Sequence, residues 1–359
     1  TSLEAQGYPV LIDVVAPKQD IDIIGGLVDG QNKNVYGIRL EVSAQSKRIN
    51  LLGITIKDCK LTGGIVGGGK DVIIAYCNLE NIQASVGTTA AVFITGQYVD
   101  NVKVIGCTAR GTVAGYGFIV EDRPKNVTFV DCSAIDNASH GFAVLGTDIN
   151  PINGTKLIGC RAIGNEVGIY TQDGPQTVIQ SPFVSLNKKD GINFRGSERS
   201  HVIGGIVKNN GVDGASLRDN GISIQCNYVT VEGVQIFDDQ AVKTQRRGIL
   251  DYGFDYAHII GNDLRGNIET GYATYGAGAG VNSVVKHNKG FVTEGSVLSN
   301  TFAIDSLGLK TVTISHGLAV TPNKQDIALT VIKETNVTDW GYNLLMIDSV
   351  DATNVVAKI

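Results

Sequence analysis

The chain has 359 residues, a formal net charge of −5 and 43% hydrophobic residues. This length is enough for two domains or one long one, and the mildly acidic balance argues against nucleic acid as a partner. No apolar stretch reaches the length of about 18 residues that a membrane-spanning helix needs, so we expect no membrane insertion.

Glycine recurs at nearly constant intervals of 24, 27, 23, 30 and 27 residues, each time before a strand-like segment such as GFIVE or GINFR. A period of about 20 to 50 residues is typical of a solenoid, and apolar alternation with a period of two favours strands. Because one coil cannot bury its own apolar face, successive coils must stack. The sequence therefore predicts an all-β fold, a parallel β-helix of about ten coils. The repeat glycines are Gly117, Gly141, Gly168, Gly191, Gly221 and Gly248.

Alternation also assigns the residues after each repeat glycine to two faces. Positions one and three should point into the core, as for Phe118 and Val120. Positions two and four should point outward and form a polar, partly aromatic surface suited to sugar rings. The outward residues that we predict to bind a substrate are Tyr170, Gln172, Asn193, Arg195 and Tyr252.

Five cysteines each end a strand-like segment of the repeat. Their spacings of 18, 30, 25 and 28 residues contain no CxxC pair, which argues against zinc. We predict free buried thiols, stacked at one repeated position, and no metal site. These cysteines are Cys59, Cys77, Cys107, Cys132 and Cys160.

The repeat stops after about residue 285, and short alternating segments follow. We predict a β-helix over residues 1–286, a connector over 287–296 and a small antiparallel, β-sandwich-like module over 297–359. Such a module could cap the open end of the solenoid, bring copies together as trimers or bind carbohydrate.

The connector HNKGFVTE and the following TVTISHGLAVTPNKQDIALTV resemble the C-terminal portion of phage tail spike and appendage proteins. That family has a pectate-lyase-like right-handed parallel β-helix. The resemblance implies a homotrimer located outside the cell on a virion tail. It also implies that the protein binds, and often cleaves, a bacterial surface or extracellular polysaccharide. We expect no cofactor, because the phosphate-loop-like GGIVGGGK continues with Asp71 instead of Ser or Thr.

Two carboxylates share one column of the predicted solenoid. Asp122 and Asp173 each lie five residues after a repeat glycine, two coils apart, with Gly146 between them. Two ladder steps separate their backbones by roughly 9.5 Å. An inverting glycosidase holds its acid and base about 6.5–9.5 Å apart. One Asp would protonate the glycosidic oxygen while the other activates water, and Glu121 would repel Asp122 and raise a pKa.

Other carboxylates are rivals, because Asp is also common in turns, where its side chain bonds the local backbone. Asp148 lies in the insertion GTDINPING, and Asp251 and Asp255 lie in LDYGFDY. The catalytic candidates are Asp122, Asp173, Glu121 and Asp148.

The leading hypothesis is therefore a tail-spike-like depolymerase that hydrolyses polysaccharide. A non-catalytic carbohydrate-binding spike or adhesin is one alternative. A polysaccharide lyase or uronate epimerase is another, because Tyr170, Gln172 and Arg195 could neutralise a sugar carboxylate and abstract a proton. The segment DYGFDYAH is similar to a Tyr-Gly-Phe-Asp motif of alginate epimerases, although its histidine, His258, comes one residue later than in that motif.

Overall fold

The structure is a computed structural model. It describes residues 10–14, 19–40, 47–60, 64–67, 69–83, 90–147, 149–214, 218–274, 282–290, 311–315, 346–350 and 354–358. In these residues the chain forms three long parallel sheets and one short antiparallel sheet, and no α-helix. This confirms the predicted all-β class.

The three parallel sheets are named A, B and C, and each list follows the chain. Sheet A contains β1 (Val10–Val14), β4 (Tyr36–Leu40), β7 (Ile65–Gly67), β10 (Ala90–Thr95), β13 (Tyr116–Glu121), β16 (Phe142–Leu145), β19 (Ile169–Gln172), β22 (Ile192–Arg195), β25 (Asn220–Gln225), β28 (Arg247–Asp251) and β30 (Thr270–Thr274). Sheet B contains β2 (Gln19–Ile24), β5 (Lys47–Leu52), β8 (Lys70–Ala75), β11 (Asp100–Ile105), β14 (Lys125–Val130), β17 (Lys156–Ile158), β20 (Val178–Gln180), β23 (His201–Ile203), β26 (Thr230–Glu232), β29 (His258–Ile260) and β31 (Val284–Lys286). Sheet C contains β3 (Leu27–Lys33), β6 (Thr55–Cys59), β9 (Asn78–Glu80), β12 (Thr108–Arg110), β15 (Ser133–Ile135), β18 (Arg161–Ile163), β21 (Phe183–Ser185), β24 (Ile206–Lys208) and β27 (Gln235–Phe237).

The strand order shows a solenoid. In most coils the chain passes once through each of the three sheets, so neighbours within a sheet come from successive coils. Sheets A and B have 11 strands each and sheet C has nine. The predicted parallel β-helix is confirmed, and its length is close to the ten coils expected.

The inward-facing columns form one continuous core. Phe118 stacks on Phe142 with 4.8 Å between ring centroids, and Phe129 meets both rings edge-on. Val120 and Val144 lie beside them in register and are buried. The inward assignment made from alternation is thus confirmed.

The repeat glycines allow the coils to approach each other. A Cβ atom on Gly117 would lie 2.7 Å from the carbonyl oxygen of Gly141, and one on Gly168 would lie 2.5 Å from that of Gly191. These glycines have ordinary negative φ angles, so they are not needed for their conformational freedom. They recur because a side chain at this position would collide with the backbone of the next coil.

A ladder of side-chain amides, all of them buried except the last, runs beside these glycines, and sequence reasoning missed it. The side-chain amide of Asn165 donates to the Oδ1 of Asn187 at 3.2 Å, and that of Asn187 donates to Asn210 at 2.9 Å. The same two oxygens also accept hydrogen bonds from the backbone N–H groups of Asn165 and Asn187. These backbone donors in the turn before sheet A therefore have partners although they are buried. The ladder is formed by Asn137, Asn165, Asn187, Asn210, Gln245 and Asn267.

All five cysteines of the predicted stack are free and buried, as expected. Cys77, Cys107, Cys132 and Cys160 share one position between sheets B and C. The N–H of Cys77 donates to the sulfur of Cys107 at 3.4 Å. The assignment of Cys59 to this stack is wrong, because Cys59 ends β6 in sheet C, and burial raises the pKa of its thiol to about 11.

Three strands lie in the predicted C-terminal module: β32 (Thr311–Ser315), β33 (Met346–Val350) and β34 (Asn354–Lys358). They pair antiparallel with β34 in the centre. The rest of the module and residues 291–296 of the connector lie outside the described residues, so the domain boundaries stay a prediction. Among the described residues no helix is long and apolar enough to cross a membrane.

Candidate functional site

The two outward columns of sheet A differ in exposure. The column four residues after each repeat glycine is accessible, and Arg195 in it is exposed. The column two residues after the glycine is mostly buried, so the prediction that it is open to solvent is wrong. Tyr170 is half-buried there. The buried members are Ile119, Ala143, Asn193, Ser223 and Leu250.

Two adjoining depressions open where the sheet A strands end. The first has a volume of about 320 Å³ and the second about 450 Å³. They share Thr147 and Gln172, which therefore form the wall between them. The first is lined by Glu121, Asp122, Leu145, Gly146, Thr147, Asn150 and Gln172. The second is lined by Thr147, Gln172, Asp173, Arg195 and Gly196.

The fold places Asp122 and Asp173 in these depressions because the parallel ladder continues past the strand ends. The N–H of Gly146 donates to the carbonyl of Gln172 at 2.8 Å, and that of Asp173 donates to the carbonyl of Arg195 at 3.0 Å. Both aspartates adopt left-handed backbone angles, with φ of 62° and 48°. Asp and Asn tolerate this conformation better than most residues, which accounts for Asp at these turns.

The first depression carries two adjacent carboxyl groups in different surroundings. Burial, and secondarily the charge of Asp122, raises the pKa of Glu121. Asp122 is exposed, and its Oδ1 lies 3.8 Å from Nε of Arg123. The like-charge repulsion expected from the sequence is therefore present but is the smaller cause. The raised pKa means that Glu121 keeps its proton to a higher pH than an ordinary glutamate does.

Tyr170 orients the amide in the wall between the depressions. Its hydroxyl donates to Oε1 of Gln172 at 2.9 Å. The tyrosine ring in turn lies against His140, with 4.6 Å between centroids. Because the amide oxygen is engaged, the amide nitrogen of Gln172 is the end available to a ligand. Arg195 pairs with Gln172 across the ladder, so two hydrogen-bond donors lie side by side.

Asn193 and Tyr252 line neither depression. The side chain of Asn193 is only 3% exposed and donates to Asp190 at 2.8 Å, so it is enclosed and does not face a ligand. Tyr252 is half-buried and lies two coils beyond Arg195, in the same outward column.

The three other candidate carboxylates, Asp148, Asp251 and Asp255, do not line the depressions in the described structure. Asp148 lies outside the described residues. Asp251 points into the solenoid, is fully buried and accepts a hydrogen bond from the hydroxyl of Tyr272 at 3.0 Å, so it does not reach a surface ligand. Asp255 lies in the turn that follows and in neither depression.

Sequence reasoning missed Thr147 and Asn150, which line the first depression. Each donates its backbone N–H to the other's carbonyl oxygen, and the hydroxyl of Thr147 accepts from the N–H of Asn150 at 3.1 Å. The signal for them was the insertion GTDINPING, which interrupts the repeat directly after Gly146. In the described part of the chain no group of acidic, His and Cys side chains is arranged to hold a metal ion.

Comparison with known proteins identifies relatives of this architecture. The model of the family described as right-handed beta helix region matches residues 31–157 and 90–264, which together exceed half of the chain. The periplasmic alginate epimerase AlgG is similar with a TM-score of 0.51 and 12% identity, over 75% of this chain and 74% of that one. PfbA, a surface adhesin of Streptococcus pneumoniae, is similar with a TM-score of 0.50 and 11% identity, over 71% and 70%. No curated protein sequence matches the chain.

Proposed function

We propose that this chain, which belongs to the family of right-handed β-helix proteins, binds an extracellular polysaccharide along sheet A and hydrolyses it at the two depressions. The observation that carries the proposal is the placement of Asp122 and Asp173 on opposite sides of a shared wall. A flat sheet of accessible polar side chains gives an extended polymer a path across several coils.

The two sides of the wall take different roles in the reaction. On the first side, the carboxyl group of Glu121 or Asp122 gives its proton to the glycosidic oxygen as the bond from that oxygen to the sugar breaks. On the second side, Asp173 takes a proton from a water molecule whose oxygen bonds to the same sugar carbon. Two ladder steps place the backbones roughly 9.5 Å apart, which leaves room for that water. The raised pKa of Glu121 favours it as the proton donor.

The comparisons support the class of substrate and the location. AlgG is a periplasmic alginate epimerase, and alginate is a polysaccharide; PfbA is a surface adhesin. We extend to this chain a location outside the cytoplasm. The homotrimer and the position on a virion tail follow from the tail-spike resemblance alone.

The test of the hydrolase is the release of reducing ends from a panel of bacterial capsular and extracellular polysaccharides. Glu121→Gln, which removes the favoured proton donor, and Asp173→Asn are expected to lower turnover about 10²- to 10⁴-fold while leaving polymer binding intact. Asp131→Asn is the matched control, because Asp131 has the same left-handed turn conformation but lies between sheets B and C. Full activity in both site variants would refute the assignment.

A second candidate is β-elimination or C5 epimerisation of a uronate polymer. It is favoured by the adjacent donors of Gln172 and Arg195 in the second depression and by the hydroxyl of Tyr170 beside them. Elimination creates an unsaturated product that absorbs in the ultraviolet, whereas hydrolysis does not. Polymer binding without any product would favour the third alternative, a carbohydrate-binding spike.

A further inference from the structure

A column of residues with left-handed backbone angles runs along the start of sheet B. The residue at this position has a φ between 51° and 75° in each of the 11 coils, and the strand register places all of them in line. Asp, Asn and Gly tolerate such angles better than other residues. These types occupy more than half of the column, at Asp20, Asp71, Asn101, Asn126, Gly154 and Asn282.

Tyr228 and Tyr256 depart from this pattern in two successive coils. Each has a φ of 60°, which is an uncommon and strained angle for a bulky side chain. Burial does not compensate for the strain, because the two residues are 40% and 38% exposed. Backbone strain of this kind is concentrated at sites that bind or transform a ligand. The two tyrosines are therefore candidates for a binding role.

The two tyrosines belong to a stack of planar groups. Their rings lie with 4.5 Å between centroids and 8° between planes. The guanidinium of Arg199 lies 5.8 Å from the ring centroid of Tyr228. Arg199 comes from the coil before Tyr228 and Tyr256 from the coil after it, so the two cover opposite faces of that ring. We call Arg199, Tyr228 and Tyr256 the aromatic platform.

The platform presents apolar and polar groups together at the surface. Arg199 is exposed and forms no ion pair with any described residue. Phe254, in the same turn as Tyr256, adds a ring that is 36% exposed. A tyrosine offers an apolar ring and a hydroxyl that can bond to a ligand. A sugar ring is complementary, because its C–H groups pack on aromatic carbon and its oxygens accept hydrogen bonds from a guanidinium.

The platform lies at the same edge of the solenoid as the two depressions. Arg199 follows Gly196, which lines the second depression, by three residues. Gln225 continues the accessible column of sheet A in the coil between. Three ladder steps separate the coil of Asp173 from the coil of Tyr256, a distance of roughly 14 Å along the solenoid. A polymer that leaves the second depression along sheet A therefore reaches the platform.

We propose that the aromatic platform is a subsite for a sugar unit of a polysaccharide bound along sheet A, beyond the second depression. The identity of the polymer rests on the proposed function, but the platform takes no part in bond cleavage. It holds the polymer equally before and during the reaction. The loss of such a contact raises KM and leaves kcat unchanged.

The test measures binding and turnover of a polysaccharide from the same capsular and extracellular panel by the double variant Tyr228→Asn/Tyr256→Asn. Asn already occupies this column at Asn101 and Asn282, so the exchange removes the rings and suits the left-handed backbone. We expect Kd and KM to rise about 10-fold or more while kcat stays unchanged. Tyr76→Asn is the matched control, because Tyr76 is 70% exposed with a φ of 57° but lies between sheets B and C.

The outcomes separate this subsite from the proposed hydrolysis. Tyr228→Phe/Tyr256→Phe keeps both rings and is expected to keep most of the affinity. Weaker binding by the Asn double variant, but not by the Phe double variant or Tyr76→Asn, supports the platform; if that polymer is bound and not cleaved, only the hydrolysis is refuted. Equal binding by the Asn double variant and the wild type overturns the platform and leaves the hydrolysis standing. A wild type that binds no polymer of the panel overturns both.

Discussion

Asp190 gives a prediction that tests the interior of the structure directly. Its carboxylate is fully buried. It accepts hydrogen bonds from the side chain of Asn193 at 2.8 Å and from the backbone and side chain of Asn220 at 3.1 and 2.8 Å. Burial raises its pKa from 3.8 to about 7, although these hydrogen bonds and the charge of Arg218 oppose the rise.

The raised pKa makes the stability depend on pH in one direction. In the unfolded chain Asp190 ionises near pH 3.8, whereas in the folded protein it ionises near 7. Its contribution to stability is therefore fully present below about pH 4 and is lost as the pH rises to about 7. At 1.36 kcal/mol per pH unit, the loss amounts to roughly 4 kcal/mol above pH 7.

Asp190→Asn removes this dependence, because the introduced amide has no charge to bury. The oxygen of Asn193 has no hydrogen-bond partner among the described residues, so this side chain can turn to accept from the new amide. We expect the variant to unfold like the wild type at pH 4 and to be more stable by up to about 4 kcal/mol at pH 8. Urea unfolding at several pH values measures the difference, with Asp136→Asn at an exposed turn controlling for the loss of one charge. A difference that is the same at pH 4 and pH 8 would refute the reasoning.

Three further predictions concern the stack of coils and the site beside it. Asn187→Leu should cost about 2–5 kcal/mol in urea unfolding, because it leaves buried donors of the amide ladder without partners. Gly168→Ala should lower the midpoint strongly, since its Cβ would lie 2.5 Å from the carbonyl oxygen of Gly191; an unchanged midpoint would contradict the close approach. Burial lowers the pKa of His140 to about 4, against the opposing charge of Glu166, so the folded ring stays neutral. The contribution of His140 to stability should therefore fall by about 3 kcal/mol as the pH falls from 6.5 to 4, opposite in sign to that of Asp190, and the difference between the wild type and His140→Leu in urea unfolding isolates it.

The sequence contained enough information to predict the solenoid and its core. The repeat glycines and the two-residue alternation place Phe118 and Phe142 in the interior, and the structure stacks their rings. The same register places Asp122 and Asp173 in one column, two coils apart, at the two depressions. These features depend on local periodicity, which a single sequence records completely.

Other features depend on what lies next to a residue in space. Alternation shows that Asn193 points away from the core, but it does not show that this position is enclosed. Asn187 and Asn210 lie in separate turns, and their hydrogen bond follows only from the stacking register.

The most direct test of the proposed function is the release of products by the wild type and by Asp173→Asn from one polysaccharide that the protein binds. Reducing ends and ultraviolet absorbance are followed in the same reaction. We expect the wild type to release reducing ends without absorbance, and Asp173→Asn to release almost no reducing ends while it still binds the polymer. Absorbance that rises together with the reducing ends, or equal turnover in the variant, would contradict it.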